Sequence, residues 1–386
     1  MLDPSLIGRQ LKALGFDFYS GVPCSFLKGL VNFAIQEADY VAAANEGDAV
    51  AICAGTHLGG RRSVVLMQNS GLCNAVSPLT SLNATFRIPV LGFVSLRGQA
   101  GIKDEPQHEL MGTITTRLLD TMGMAWEFLS EDTEEASAQL ARAARHIDRG
   151  ETFFFVVRKN TFNAVELKFK PLPPDRGGRT LLRSTATGPR PSRAEVIEVV
   201  NRVRTQDMLV VATTGFTGRE LYQAGDFESN FYMVGSMGCA SPMAFGLAVA
   251  QPGRRVVCLD GDGAALMRMG ALATLGYYGP NNLFHLLLDN GCYDSTGGQP
   301  SISPSVDWAG VASASGYPSA LAIAGASELL MHLAEWLKAP RLTFAAINTS
   351  PGAPKELARP AVRPPQVATR LMHLLASGPV LEPKEA

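Results

Sequence analysis

The chain lacks an excess of charge of either sign: 34 Lys and Arg stand against 35 Asp and Glu in 386 residues. That balance gives no electrostatic reason to expect nucleic acid or an anionic membrane as partner. No CxxC pair joins any of the six cysteines, and no HxxxH or HExxH pairs the six histidines. Reduced thiols in a cytoplasmic protein are therefore the expectation, rather than a disulfide frame or a zinc site. A hard cation held by oxygen ligands stays open. The longest suspicious charge-free run, 231–253, is interrupted by Gly, Ser and Pro, which suits a turn and a buried helix better than a membrane span. The opening MLDPSLIGRQL has no basic region followed by an apolar stretch.

What is present is apolar content: 46% hydrophobic residues against 18% charged, enough for sizeable cores. At roughly 150 residues per domain, the length suggests two or three domains. Short apolar runs at 63–67, 88–94, 152–157, 208–212, 255–259, 283–288 and 342–347 predict buried strands. Helical stretches at 46–58, 132–147, 192–204, 238–250, 263–276 and 366–376 alternate with them. The pattern predicts an α/β chain of two doubly wound parallel-sheet domains. Between them, 160–193 is rich in Pro and Arg. We place a first domain at 1–165, a linker at 166–191 and a second domain at 192–386.

The halves echo one another. Gly60-Arg-Arg-Ser-Val-Val-Leu runs on to Asn69-Ser70-Gly71, and Gly253-Arg-Arg-Val-Val-Cys-Leu runs on to Gly261-Asp262-Gly263. A diverged duplication would produce this. The second turn, Asp260-Gly261-Asp262-Gly263-Ala264-Ala265, follows an apolar strand and opens a helix, a setting that favours phosphate. Asp262 would repel a bare phosphate unless a divalent cation bridged the two. A dinucleotide fingerprint would need glycine where Leu266 stands. After 25 intervening residues comes Asp289-Asn290-Gly291-Cys292-Tyr293. The Asn290 side chain and the Cys292 carbonyl could join Asp262, two diphosphate oxygens and a water around Mg²⁺.

This GDG-x25-(D)N arrangement resembles the thiamin diphosphate-binding motif, with Asp289 where a paired Asn is usual. The resemblance implies cofactor contacts at Thr213, Thr214, Gly215, Gly261, Asp262, Gly263, Ala264, Asn290 and Tyr293. It also implies that the Gly235 carbonyl receives the cofactor's amino group and that Met237 wedges beneath the bent cofactor. Glu46, between a strand and a small-residue helix, matches the acid that hydrogen-bonds N1′ of the aminopyrimidine, the catalytic residue of such enzymes.

Longer stretches narrow the resemblance. They are Gly21-Val-Pro-Cys-Ser-Phe-Leu-Lys28, Ala44-Asn-Glu-Gly-Asp-Ala-Val50, Gln68-Asn-Ser-Gly-Leu-Cys-Asn-Ala75, Lys103-Asp-Glu-Pro-Gln-His-Glu-Leu110 and Asp294-Ser-Thr-Gly-Gly-Gln299. Together they resemble phosphonopyruvate decarboxylases, with sulfopyruvate decarboxylases close by. The resemblance implies no middle domain. It implies thiamin diphosphate and Mg²⁺ as cofactors and decarboxylation of phosphonopyruvate to phosphonoacetaldehyde, in phosphonate and antibiotic biosynthesis. It also implies a homodimer at minimum, with the active site between subunits. For the substrate it points to Ser25, Lys28, Asn69, Lys103 and His108, with Arg97, Lys355 and Arg359 as further sources of charge. Two positions depart from the family pattern: Cys24 where some relatives carry an acid, and Cys73 where Gly is common.

Overall fold

The computed structural model describes residues 1–168 and 177–378. Residues 169–176 of the expected linker, and 379–386, lie outside the described residues.

Among the described residues two parallel sheets dominate. The first holds β1 (Phe16–Gly21), β2 (Asp39–Ala42), β3 (Arg62–Gln68), β4 (Leu91–Ser95), β5 (Ala125–Phe128) and β6 (Phe153–Val157). Their order is β2-β1-β3-β4-β6-β5. Strands such as Phe153–Val157 are buried along their whole length, as expected where helices cover both faces. The second sheet holds β7 (Thr180–Arg183), β8 (Met208–Ala212), β9 (Asn230–Tyr232), β10 (Arg255–Gly261) and β11 (Leu283–Asp289). A short antiparallel ribbon, β12 (Cys292–Tyr293) with β13 (Gln299–Pro300), follows. β14 (Ser319–Ile323) and β15 (Thr343–Asn348) complete the sheet.

Counted from β9, the second sheet runs β9-β8-β10-β11-β15-β14, which is the strand order of the first sheet, and β7 is added at its edge. The shared order supports duplication. It also shows that part of the 166–191 segment is structured, because Thr180–Arg183 pairs in parallel with β14.

The helices after β2 and β9, Glu46–Leu58 and Ala240–Ala250, occupy equivalent places and pack on each other. A Cβ on Gly55 would lie 1.9 Å from the Met243 carbonyl oxygen, and one on Gly246 would lie 2.0 Å from the Ile52 carbonyl oxygen. Each glycine thus faces the residue three before the other, a reciprocal arrangement that relates the halves by a local twofold. One core runs across this junction, with the Phe86 and Phe231 rings 4.6 Å apart.

The expected helix at 263–276 is two helices, Asp262–Met267 and Ala271–Tyr278. The break at 268–270 turns Arg268 toward the first half, where it bonds Asn45 and Asp48. No helix among the described residues is long and apolar enough to cross a membrane.

Candidate active site

In each sheet the strands deliver their carboxyl ends to one edge, where ligands of open α/β sheets bind. On the second sheet β8 runs into Thr213, Thr214 and Gly215, β10 into Asp262, and β11 into Asn290. Gly215 has φ 96°, a backbone conformation that glycine adopts without penalty. One pocket is lined by Thr213, Thr214, Gly215, Met237, Gly261, Asp262, Gly263, Ala264, Asn290, Cys292 and Tyr293, together with Arg193 and Asp294. A Cβ on Gly263 would lie 2.3 Å from the Tyr293 ring and 3.0 Å from Met237 Cε, so glycine is what leaves this floor open.

Burial pushes the Asp262 carboxyl up, while a hydrogen bond from the Ser301 hydroxyl works against the rise. The Asn290 amide is oriented by its neighbours: Oδ1 accepts from Cys292 N at 3.2 Å, and Nδ2 donates to Asp294 at 2.7 Å. Asp289 shapes the turn, accepting from Gly291 N at 3.0 Å and from the Ser303 hydroxyl at 2.6 Å. Burial and the nearby Asp294 push the Cys292 thiol up to about 11, so its sulfur stays protonated and its carbonyl is the better oxygen donor.

The turn before Met237 is strained: Ser236 has φ 51°, uncommon for any residue but glycine. The first half holds it in place. Ser81 Oγ accepts from Ser236 N at 3.0 Å and lies 2.7 Å from Ser236 Oγ. A Cβ on Gly235 would meet Ser81 at 2.9 Å.

Glu46 opens the helix after β2, whose cap is the Asn45 side chain. The Glu46 carboxylate is buried and accepts from Asn74 Nδ2 at 2.8 Å. A Cβ on Gly71 would lie 2.0 Å from its Oε1. Glu46 does not line the pocket around Asp262 within one chain, and neither do Gly235 or the expected substrate residues.

The residues expected to meet substrate gather at the edge of the first sheet. Ser25 is exposed and accepts from Arg97 Nη1 at 3.3 Å. Lys28 is exposed at a helix start, and Lys103 is exposed on the 96–105 loop. Asn69 is fully buried and spends its amide on the Arg97 carbonyl at 2.9 Å and on Thr115 at 3.0 Å. His108 is buried, with Nδ1 unpartnered. Arg97 is neutralised by Asp104, whose carboxyl it holds well below the usual range. Cys24 is buried 3.1 Å from Ser95 Oγ, and Cys73 is exposed 3.8 Å from the Met111 sulfur.

Sequence reasoning missed two buried groups beside the pocket. Arg193 pairs with Glu220 at 3.0 Å and with Asp294 at 3.3 Å. Against the cost of burial, Cys292, the Gly352 N–H and Arg193 hold the Asp294 carboxyl below its ordinary value. Asp260, behind the motif, lies 3.2 Å from His285, which lies 3.2 Å from the Tyr317 hydroxyl. The run Leu-Asp260-Gly-Asp262 held the only sequence signal for the second group.

Residues 216–347 match the family described as "Thiamine pyrophosphate enzyme, C-terminal TPP binding domain". A phosphonopyruvate decarboxylase of Streptomyces viridochromogenes is 39% identical over 373 residues, covering 96% of this chain and 94% of that protein. The chain belongs to the phosphonopyruvate decarboxylase family. A sulfopyruvate decarboxylase of Methanosarcina acetivorans lies outside that near full-length match, at 31% identity over 75% of this chain and 76% of its own. In fold, this family member is similar to benzoylformate decarboxylase from Polynucleobacter necessarius, with a TM-score of 0.69 and 13% identity over 93% of this chain and 100% of that one.

Proposed function

We propose that the protein decarboxylates 3-phosphonopyruvate to phosphonoacetaldehyde and CO₂ with thiamin diphosphate and Mg²⁺. The carrying observation is the 39% identity to a phosphonopyruvate decarboxylase along 96% of the chain. The residues present suit the cofactor. Asp262, the Asn290 amide and the Cys292 carbonyl offer only oxygen, the donor set that Mg²⁺ takes. A carboxyl pushed up by burial is one that a cation would relieve.

When bound, thiamin diphosphate supplies the electron sink that a 2-oxo acid needs in order to lose CO₂. The chain does the rest. Thr213, Thr214, Gly215, Gly261, Gly263, Ala264 and Tyr293 would hold the diphosphate, and Asp262, Asn290 and Cys292 its cation. Gly235 and Met237 would orient the pyrimidine end. Glu46 would hold a proton at Oε1, the oxygen opposite the one fixed by Asn74.

A homodimer with shared sites completes the reading. It is supported by the separation of Glu46 from the Asp262 pocket within one chain. It is also supported by Val234, Met267 and Ile302, which are 50%, 62% and 71% exposed and lie close in sequence to Gly235, Asp262 and Ser301. A sulfopyruvate or other 2-oxo acid decarboxylase, or a carboligase, is the second reading, favoured by the 31% match to a sulfopyruvate decarboxylase. Product analysis with phosphonopyruvate and sulfopyruvate decides between them. Phosphonoacetaldehyde from the first supports the proposal, and its absence rejects it.

A further inference from the structure

A second cavity, about 480 Å³, opens beside the diphosphate pocket and shares Thr214, Gly215 and Ser295 with it. Two guanidiniums line it. Arg219 comes from the helix Phe216–Ala224, and Arg359 from the segment between β15 and the last helix. No Asp or Glu is among its lining residues.

The two arginines differ from the other candidate cations. Arg97 is spent on Asp104, and Arg193 on Glu220 and Asp294. Arg219 rests over the Phe216 ring, 5.6 Å from its centre, and has no carboxylate partner among the described residues. Arg359 has no hydrogen bond or ion pair among the described residues. Two unpaired guanidiniums in one carboxylate-free cavity form a site for a tetrahedral dianion, because each planar fork matches two of its oxygens.

We propose that Arg219 and Arg359 bind the phosphonate of the substrate and select it over smaller or less charged 2-oxo acids. This rests on the decarboxylation reading above. A phosphonate that carries two negative charges meets both arginines, whereas a sulfonate brings one charge and pyruvate brings none at that end. The positive charge required by the substrate therefore comes from the second half of the chain rather than from the 97–108 loop.

The test uses the full chain loaded with thiamin diphosphate and Mg²⁺. Methylphosphonate is titrated by calorimetry into the unaltered protein, Arg219→Gln, Arg359→Gln and the double variant. Each single change is expected to weaken binding about 10- to 100-fold, and the double change to abolish it. Arg219→Lys should recover part of the affinity and serves as a folding control. Thiamin diphosphate affinity should stay unchanged throughout. KM for phosphonopyruvate should rise far more than kcat falls, and the preference over sulfopyruvate should shrink.

Equal methylphosphonate binding by the double variant and the unaltered protein overturns the proposal. So does weakened cofactor binding with normal methylphosphonate binding, which would assign the arginines to the diphosphate. If the unaltered protein makes no phosphonoacetaldehyde, the functional reading has failed, while the titration still decides whether the two arginines form a phosphonate site.

Discussion

Glu46 sits in a pocket built to aim it. Asn74 fixes one oxygen, and the missing side chain of Gly71 leaves room for the other. Glu46→Gln keeps the shape and removes the ionisable proton. We expect hydrogen–deuterium exchange at C2 of the bound cofactor to slow about 10²- to 10⁴-fold, with cofactor affinity nearly unchanged. Gly71→Ala should slow the same exchange, because the new methyl displaces the carboxylate; unchanged exchange in both variants would remove Glu46 from the reaction. As candidates, Asp262 and Asn290 stood out in the sequence because each follows an apolar strand directly, whereas Glu46, separated from β2 by Ala43, Ala44 and Asn45, stood out only through the resemblance of its surrounding phrase. Arg193 and Arg268 did not stand out. Their partners are distant in the chain, Asp294 for Arg193 and Asp48 for Arg268, and no local pattern marks such a pairing.

The helix pair Glu46–Leu58 and Ala240–Ala250 joins the halves through two glycines, and backbone meets backbone there. Gly246→Ala forces a methyl against the Ile52 carbonyl. We expect a loss of about 1–3 kcal/mol in unfolding free energy, measured by denaturant titration. At the start of this pair, burial pushes the Asp48 carboxyl up to about 6, against the pull of Arg268. The folded chain therefore holds a proton on Asp48 that the unfolded chain releases from near its ordinary carboxylate pKa upward. Its contribution to stability falls as pH rises from about 4 to about 6. Asp48→Asn should flatten the dependence of Tm on pH in that window, and an unaltered slope would place the titration elsewhere.

Element by element, strands such as Phe153–Val157 and Met208–Ala212 and helices such as Thr133–Asp148 matched their sequence patterns closely, whereas the buried strands Phe16–Gly21 and Asn230–Tyr232 went unread. The helix over Glu46–Leu58 starts at its Asn45 cap and stops at Gly59. The strand Ala125–Phe128 went unread because it is only partly buried and Glu127 interrupts its apolar run, and Ser319–Ile323 went unread although Ala320-Leu-Ala-Ile323 is apolar, because the run is short and alanine-rich. Thr180–Arg183 was hidden by its Arg-rich, Pro-flanked surroundings and depends on β14 for its pairing.

At the scale of the molecule, one chain carries both chemical halves, and the proposed site needs a second copy. This can be tested without a structure of the assembly. Glu46→Gln and Asp262→Ala chains should each be nearly inactive alone. In a mixed dimer, one site would take Glu46 from one chain and Asp262 from the other and be intact. Random mixing should then restore about a quarter of the unaltered activity. No recovery would mean that each chain builds its site alone.

The reciprocal glycine contact has a further consequence for how the protein can be made. The helices interlock through their backbones, and one core runs across the junction. The peptide link between the halves then serves mainly to raise their local concentration. Residues 1–168 and 177–386, produced as separate chains, should find each other and associate at about micromolar concentration or below. Gel filtration of the mixed pieces, with Gly55→Val as the control that should keep them apart, would measure how far this single chain is already a complex of two.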